Sequence, residues 1–377
     1  MKSMRRWPYT FAVTLRRWPY TFAVIVSIAV GATAITASEI LDLPVRDPDG
    51  FLGPSYVRLP IIVLLFFAAG VIPAAFKRAG WRNVHHGIAK IIREEWTWKR
   101  LSYILVGLGS FYTCYVSYRN LKSYLPVVRE NVLFDHRMLE LDHFLMFGHN
   151  PATVLHNILG TNVVMASTLS YVYVAYLMLI PLTLGAFLVW GKDLSLGAWY
   201  ATTLSLNWVL GAVSYYMIPT LGPAFAQPQS YLDLPDTGAS ALQRSLFRAG
   251  AGFKEDPSGH NIYGIAGFAS LHVSVVLAAA LFFSRAGLNA VIRYASWVYV
   301  FLVVLATIYF GWHYIADDVA GAFIGWISVS LGAWASGNRG RRRRHRRGDL
   351  AVVHGDDDQP AELLDSSDGS ATAASTA

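Results

Sequence analysis

Charged residues and cysteines are scarce in this chain. Only 15% of its 377 residues are charged and 54% are hydrophobic, which excludes an ordinary soluble domain, where about 25% of residues are charged. The one cysteine, Cys114, lies within an apolar run. An intramolecular disulfide is therefore excluded, and cysteine usage leaves the redox compartment open. The chain has instead a series of long apolar stretches, which are typical of an integral membrane protein.

Eight of these stretches are long enough for membrane helices, and they lie near residues 22–38, 59–76, 101–118, 168–190, 195–218, 268–284, 294–311 and 315–335. They predict an all-α fold, a polytopic membrane helical bundle of about eight spans. The first stretch follows basic residues and has Ala32-Thr33-Ala34 near its end, features that a cleaved signal peptide shares. Because the stretch is slightly long and the cleavage site is weak, we favour a retained anchor.

The net charge of +7 could suggest a nucleic-acid partner, but its distribution has a simpler explanation. Arginine and lysine concentrate in four segments, residues 1–21, 77–100, 285–293 and the residues after 338. With eight spans, all four fall on one side of the membrane, which the positive-inside rule makes cytoplasmic. We therefore expect a multi-pass cell-membrane protein with both termini cytoplasmic, and no nucleic-acid partner.

The chain divides into three predicted parts. Residues 1–100 form an N-terminal basic segment with two accessory membrane spans, and residues 101–337 form the main membrane domain. Residues 338–377 are arginine-rich and then acidic, a composition typical of a disordered cytoplasmic tail. Its arginines are expected to contact anionic lipid heads, although a stop-transfer charge cluster would explain them equally well. A Pro- and Gly-rich segment, residues 219–267, is predicted to be an external loop that covers a site.

Two histidines stand out, because each lies at the boundary of a predicted span and one membrane hairpin separates them. His272 directly precedes an apolar run, and His313 directly follows another. Asp317 comes four residues after His313, so both side chains share one helical face. Ionisable groups near a bilayer are functional candidates, and this set suits a histidine nucleophile or base with a histidine proton donor. In the predicted topology all three face the extracytoplasmic side.

Two other interpretations of the histidines stay open. They could be interfacial polar residues without chemistry, or they could bind a metal with the carboxylate. No third imidazole has ligand spacing, so we predict no metal and no cofactor.

The motifs around these residues resemble the type 2 phosphatidic acid phosphatase superfamily, and within it the inositol phosphorylceramide synthase and sphingomyelin synthase branch. Ser270-Leu271-His272 is similar to that branch's Pro-Ser-Leu-His, and His313-Tyr314-Ile315-Ala316-Asp317 is similar to its second histidine motif. The segment Leu141–Gly148, which contains Asp142, resembles a recurring segment of bacterial members. The resemblance implies a six-helix catalytic core and a lipid phosphotransferase or phosphatase.

The resemblance also implies roles. His313 would attack phosphorus and become a phosphohistidine, and Asp317 would orient it and stabilise its charge. His272 would protonate the departing alkoxide and then deprotonate the incoming hydroxyl. Ser270 and Asp142, in the matched motifs, are candidate substrate-binding residues.

Departures from the family pattern bear on these assignments. Lys122 and Arg129, placed in a predicted external loop, only echo a Lys-x6-Arg-Pro phosphate clamp, and we include both as candidate substrate-binding residues. Phosphatases of the superfamily carry an arginine six positions before the nucleophile, where this chain has Thr307. A literal Pro-Ser-Gly-His ends at His260, which is the alternative proton donor. His272 is preferred because the apolar run begins directly after it.

These features predict transfer of a phospho-headgroup, such as phosphoinositol, between lipid substrates on the extracytoplasmic face. The first alternative is a lipid phosphate or diphosphate phosphatase with water as the acceptor. The alternative of another class is a membrane transporter, which would be expected to place its ionisable residues near the midplane.

Overall fold

Helices make up the regular structure of the described part of this computed structural model, which comprises residues 18–47, 54–130 and 132–340. The thirteen α-helices described there are α1 Thr21–Leu41, α2 Ser55–Ala79, α3 Val84–Glu95, α4 Trp98–Val128, α5 Asp135–Leu145, α6 Pro151–Leu159, α7 Val163–Gly185, α8 Leu194–Met217, α9 Pro223–Ala226, α10 Gly238–Glu255, α11 Leu271–Ala286, α12 Ala290–Tyr309 and α13 Ile315–Ala335. The predicted all-α class is confirmed.

The described residues up to Arg339 belong to one compact unit, and the second unit, residues 340–377, is described only at Gly340. The basic segment before residue 18 and the arginine-rich tail from Arg341 onward lie outside the described residues. Their predicted contacts with the membrane and with lipid heads stay predictions.

Each of the eight predicted spans coincides with a helix. Among the described helices, five are long and apolar enough to cross a membrane: α1, α2, α7 with its continuation to Trp190, α12 and α13. The other three expected spans correspond to α4, α8 and the shorter apolar helix α11. A multi-pass membrane protein is therefore supported, and five of the eight expected spans meet the length and composition of a membrane helix.

Helix α8 lies at the centre of the bundle, which explains its lower hydropathy. It contacts α4, α13, α11 and α1, and most of its side chains are buried in protein. Its polar groups find partners inside the bundle: the Asn207 amide donates to the Thr203 carbonyl, and the Ser274 hydroxyl of α11 donates to Asn207. A helix shielded from lipid in this way can carry serine, threonine and asparagine without exposing them to hydrocarbon.

Helices α11 and α13 approach each other closely through two glycines. A Cβ at Gly321 would overlap the Ser270 carbonyl oxygen, and one at Gly325 would overlap the Ser274 carbonyl oxygen. Small residues four apart permit such close packing of membrane helices. The contact brings the N-terminal ends of α11 and α13 side by side.

Two local expectations were wrong. Lys122 was expected in an external loop, but α4 continues to Val128, because the residues after Tyr118 still have buried faces to pack, among them Tyr124 and Leu125. The Pro- and Gly-rich segment was expected to have little regular structure, yet it contains the 18-residue α10. There Thr237 and Ser240 form a capping box, and apolar residues recur at helical spacing.

Candidate active site

The two histidines and the aspartate of the motifs meet in space. His272 lies in the first turn of α11, His313 in the turn between α12 and α13, and Asp317 in the first turn of α13. His272 Nδ1 is 3.3 Å from His313 Nε2, and His313 Nδ1 is 3.5 Å from Asp317 Oδ2. The three side chains thus form a row in which the His313 ring has one nitrogen toward the carboxylate and the other toward His272.

Backbone hydrogen bonds hold the ends of the two helices together. Ser270 N donates to the Asp317 carbonyl at 2.9 Å, and Tyr314 N donates to Asp317 Oδ2 at 3.0 Å. The Ser270 hydroxyl accepts a hydrogen bond from Val273 N at 3.4 Å and so caps α11. Ser270 is fully buried and is not part of the wall of the main cavity described below.

The carboxylate of Asp317 is fully buried, and His313 is only 5% exposed. At 3.5 Å the Asp317–His313 contact is an ion-pair distance, longer than an ordinary hydrogen bond. Among the described residues, His313 Nδ1 has no hydrogen-bond partner.

The adjacent Asp318 is also buried. Its Oδ2 lies 2.8 Å from the hydroxyl of Thr307. Thr307 is the position at which superfamily phosphatases carry arginine. In this chain its side chain is fully buried, and it faces a carboxylate instead of an open cavity.

A cavity of about 440 Å³ opens beside the histidine row. His272 and His313 lie on its wall, together with aromatic side chains from three helices, α4, α7 and α8, and from the turn before α13. These are Phe111, Tyr115, Tyr118, Tyr173, Tyr176, Trp208, Tyr215 and Trp312. The cavity is large enough for a lipid headgroup, since small-molecule sites occupy about 300–1,000 Å³.

Aromatic rings enclose His272. Its ring centroid is 4.6 Å from that of Tyr173, in a stacked arrangement, and 4.5 Å from that of Tyr176. The Tyr173 hydroxyl and the indole nitrogens of Trp208 and Trp312 are buried and have no partner among the described residues. Three buried hydrogen-bond donors of the residues around the cavity are therefore unpaired within the described part of the chain.

The three charged residues that the sequence offered for substrate binding, Lys122, Arg129 and Asp142, lie in different places. Lys122 lines the cavity, and its Nζ is 5.1 Å from the ring centroid of Tyr215. Arg129 follows the end of α4 and is not part of the cavity wall. Asp142 is buried in α5 and accepts a hydrogen bond from Ile315 N at 3.1 Å. It contacts the start of α13 rather than the main cavity.

The environment of Asp142 alters its acidity. Burial raises the pKa of this carboxyl to about 7, the charges of Asp317 and Asp318 add to the rise, and the hydrogen bond from Ile315 opposes it. The group therefore changes charge near neutral pH.

Sequence reasoning missed two basic residues of the cavity wall, Arg58 and Arg119. Arg119 precedes Lys122 by three residues, so helical spacing could have placed both on one face. Arg58 carried no such signal, because it belongs to α2, far from any motif.

The alternative proton donor does not meet the histidine row. His260 is exposed in the turn after α10, where Arg46 binds the carbonyl oxygens of Ser258 and Asn261. It is not part of the cavity wall. Within residues 18–47, 54–130 and 132–340, no group of three or more His, Cys, Asp or Glu is placed to hold a metal ion.

The Pro- and Gly-rich segment, residues 219–267, forms part of the cavity and is fixed to the site by Asp135. The Asp135 carboxylate accepts hydrogen bonds at 3.0 Å from Leu221 N, Gly222 N and the Tyr314 hydroxyl. Burial raises the pKa of Asp135, and these hydrogen bonds oppose the rise. Beyond this anchor, the wall includes Leu221, Phe225, Leu242, Leu246 and residues 264–266. A segment expected to cover a site thus closes one side of it.

Comparison with known families gave one match. The sequence model of the PAP2 superfamily, the phosphatidic acid phosphatase type 2 superfamily, matches residues 136–331, which is more than half of the 377 residues. The matched region contains both histidines, Asp317, Ser270 and Asp142, while Lys122 and Arg129 precede it. Searches among curated proteins and among solved structures found no match.

Proposed function

Because the chain belongs to the PAP2 superfamily, whose members are generally phosphatases or phosphotransferases, we propose that it transfers a phospho-headgroup between lipid substrates through a phosphohistidine. The observation that supports this proposal most directly is the row formed by Asp317, His313 and His272 beside a headgroup-sized cavity. The inositol phosphorylceramide synthase-like branch, and phosphoinositol as the headgroup, are parts of this proposal.

The geometry supports a two-step mechanism with His313 as the nucleophile. Its Nε2, on the side away from Asp317, attacks phosphorus while the bond from phosphorus to the first alkoxide breaks. His272 gives that alkoxide a proton. In the second step an acceptor hydroxyl loses its proton to His272 and attacks phosphorus, and the bond to His313 breaks. Both histidines return to their starting state, and Asp317 stabilises the charged ring between the steps.

Three features favour a hydroxyl acceptor over water. The cavity wall is mainly aromatic and apolar, and the external segment closes one side, so bulk water has restricted access. Excluding water protects a reactive intermediate from hydrolysis. Thr307, in place of an arginine, leaves one fewer cation for a terminal phosphate dianion, which matters less for a singly charged phosphodiester.

A substrate comparison tests the proposal. The purified protein in lipid nanodiscs receives labelled phosphatidylinositol with a ceramide or diacylglycerol acceptor, and separately phosphatidic acid. We expect a new phosphodiester to form faster than inorganic phosphate leaves phosphatidic acid, and neither reaction in the His313→Ala variant. Fast phosphate release without headgroup transfer would replace the transferase by a phosphatase. Lipid binding without turnover of either substrate would favour a transporter.

The proposal includes the topology. Eight crossings, by α1, α2, α4, α7, α8, α11, α12 and α13, put both termini in the cytoplasm and the cavity on the extracytoplasmic side, and make residues 101–337 the catalytic domain. A Cys114→Ser background with a single cysteine at Gly238 or at Ala290 tests it. Both positions are exposed. Gly238→Cys should react with an impermeant thiol reagent on intact cells, and Ala290→Cys only after lysis. The reverse pattern would put the site in the cytoplasm.

A further inference from the structure

Three cationic side chains line the cavity, and they come from outside the family-matched region. Arg58 extends from the first turn of α2, and Arg119 and Lys122 extend from α4. All three are partly buried. None of them forms an ion pair with a carboxylate of the described residues.

The protein itself gives these cations few partners. Arg58 Nη2 donates to the Ser55 hydroxyl at 3.0 Å, and Lys122 lies over the Tyr215 ring. Within the described part of the chain, Arg119 makes no hydrogen bond and no ion pair. Asp47, just before α2, uses its Oδ2 to accept from Tyr56 N and the Tyr112 hydroxyl. Among the described residues, the cavity wall therefore carries three cations and no carboxylate.

Cations within a membrane protein are costly unless a counter-charge accompanies them. A reacting phosphodiester brings one negative charge, and it must lie at His272 and His313. Lys122 acts electrostatically on the His272 ring, Arg119 lies one helical turn before Lys122 on α4, and Arg58 comes from α2. Lys122 can therefore pair with the reacting phosphate, which leaves Arg58 and Arg119 without a counter-charge.

We propose that Arg58 and Arg119 form a second anion subsite, which binds a phosphate group other than the one that reacts. This inference rests on the proposed function and predicts that, among the substrate pairs it can use, the enzyme prefers one that carries a second phosphate. Arginine suits such a site, because its planar group can donate two parallel hydrogen bonds to phosphate. The accessory helix α2 would then be part of the substrate site.

The second phosphate could belong to the donor headgroup or to the acceptor, and binding measurements separate the two sources. The His313→Ala variant is used, so that no ligand is turned over. Isothermal titration calorimetry compares short-chain phosphatidylinositol with its 4-phosphate, and glycerol with glycerol 3-phosphate. We expect the phosphorylated member of at least one pair to bind about tenfold tighter or more, as loss of a charged hydrogen bond would imply. The pair that shows the difference identifies the source.

Variants assign the difference to the two arginines. In the His313→Ala background, Arg58→Gln and Arg119→Gln should each abolish the preference, while Arg58→Lys should keep part of it. Arg248→Gln, at an exposed position of α10, removes the same charge outside the cavity and should keep all of it. Thermal unfolding of each variant checks that it folds. If Arg58→Gln does not fold, Arg58→Lys still tests the role of Arg58.

Equal affinities within both pairs would overturn the second subsite, as would a preference that survives either glutamine replacement. A failure of the proposed function looks different. The preference and its loss would then be observed as expected, but the wild-type enzyme would transfer no headgroup.

Discussion

Replacing Asp317 by asparagine is the most direct test of the histidine row. Asparagine has nearly the same shape, and its side-chain oxygen can still accept the hydrogen bond from Tyr314 N that holds the first turn of α13. What the substitution removes is the negative charge 3.5 Å from His313 Nδ1. The fold should survive, and the stabilisation of a positively charged His313 should not.

The size of the effect follows from that distance. Two unit charges 3.5 Å apart interact by about 4–5 kcal/mol at an effective dielectric constant of about 20. The introduced asparagine keeps a dipole near the ring and recovers part of this. We therefore expect a loss of about 3–4 kcal/mol from the chemical step, which corresponds to a decrease in kcat of roughly 10²- to 10³-fold.

The assay is headgroup transfer at saturating lipid in nanodiscs, with thermal unfolding to confirm that the variant is folded. Asp318→Asn is the comparison variant, because Asp318 is a buried carboxylate in the same helical turn that binds the Thr307 hydroxyl and acts on His313 by its charge, without the ion-pair contact that Asp317 makes. It should lose much less activity. Equal losses in both variants, or an Asp317→Asn enzyme with wild-type kcat, would refute the assignment of Asp317 to His313.

Three further predictions concern the surroundings of the row. His272→Ala should abolish transfer, whereas His260→Ala should leave it nearly unchanged, because of the two only His272 contacts the proposed nucleophile His313. Inactivity of the His260 variant alone would make His260 the proton donor. Burial raises the pKa of Asp142 from 3.8 to about 7. Between those pH values the carboxyl is protonated in the folded state and ionised in the unfolded state. The free energy of unfolding therefore decreases as pH rises through that window. Asp142→Asn should therefore gain thermal stability over wild type between pH 5 and pH 8, and a constant difference in melting temperature would contradict the shift. Gly321→Ala should destabilise the protein and reduce activity, because the added methyl group separates α11 from α13. Gly109→Ala is the control and should do neither, because a Cβ there meets no neighbour. Equal melting temperatures of the two variants would exclude the close packing at Gly321.

Much of the architecture could be predicted because its causes are local. Apolar runs of membrane length fix where helices form, and all eight expected spans coincide with helices. The spacing of His313 and Asp317 places both side chains on one helical face, and the superfamily could be predicted from the same motifs. Helix α10 could have been recognised as well, since Ala239, Leu242 and Leu246 recur at helical spacing, but the surrounding glycines and prolines masked that pattern.

The sequence alone determined the membrane class, the membrane-length helices and a set of candidate residues for the reaction, because each depends on composition or on spacing within one helix. Tertiary structure decided which of those residues meet. It brought His272, and not His260, to His313, directed Thr307 toward Asp318, and placed Arg58 in the cavity wall. These outcomes depend on how closely helices far apart in the chain approach one another, as at Gly321, and inter-helix distance leaves no periodic signal in a single sequence.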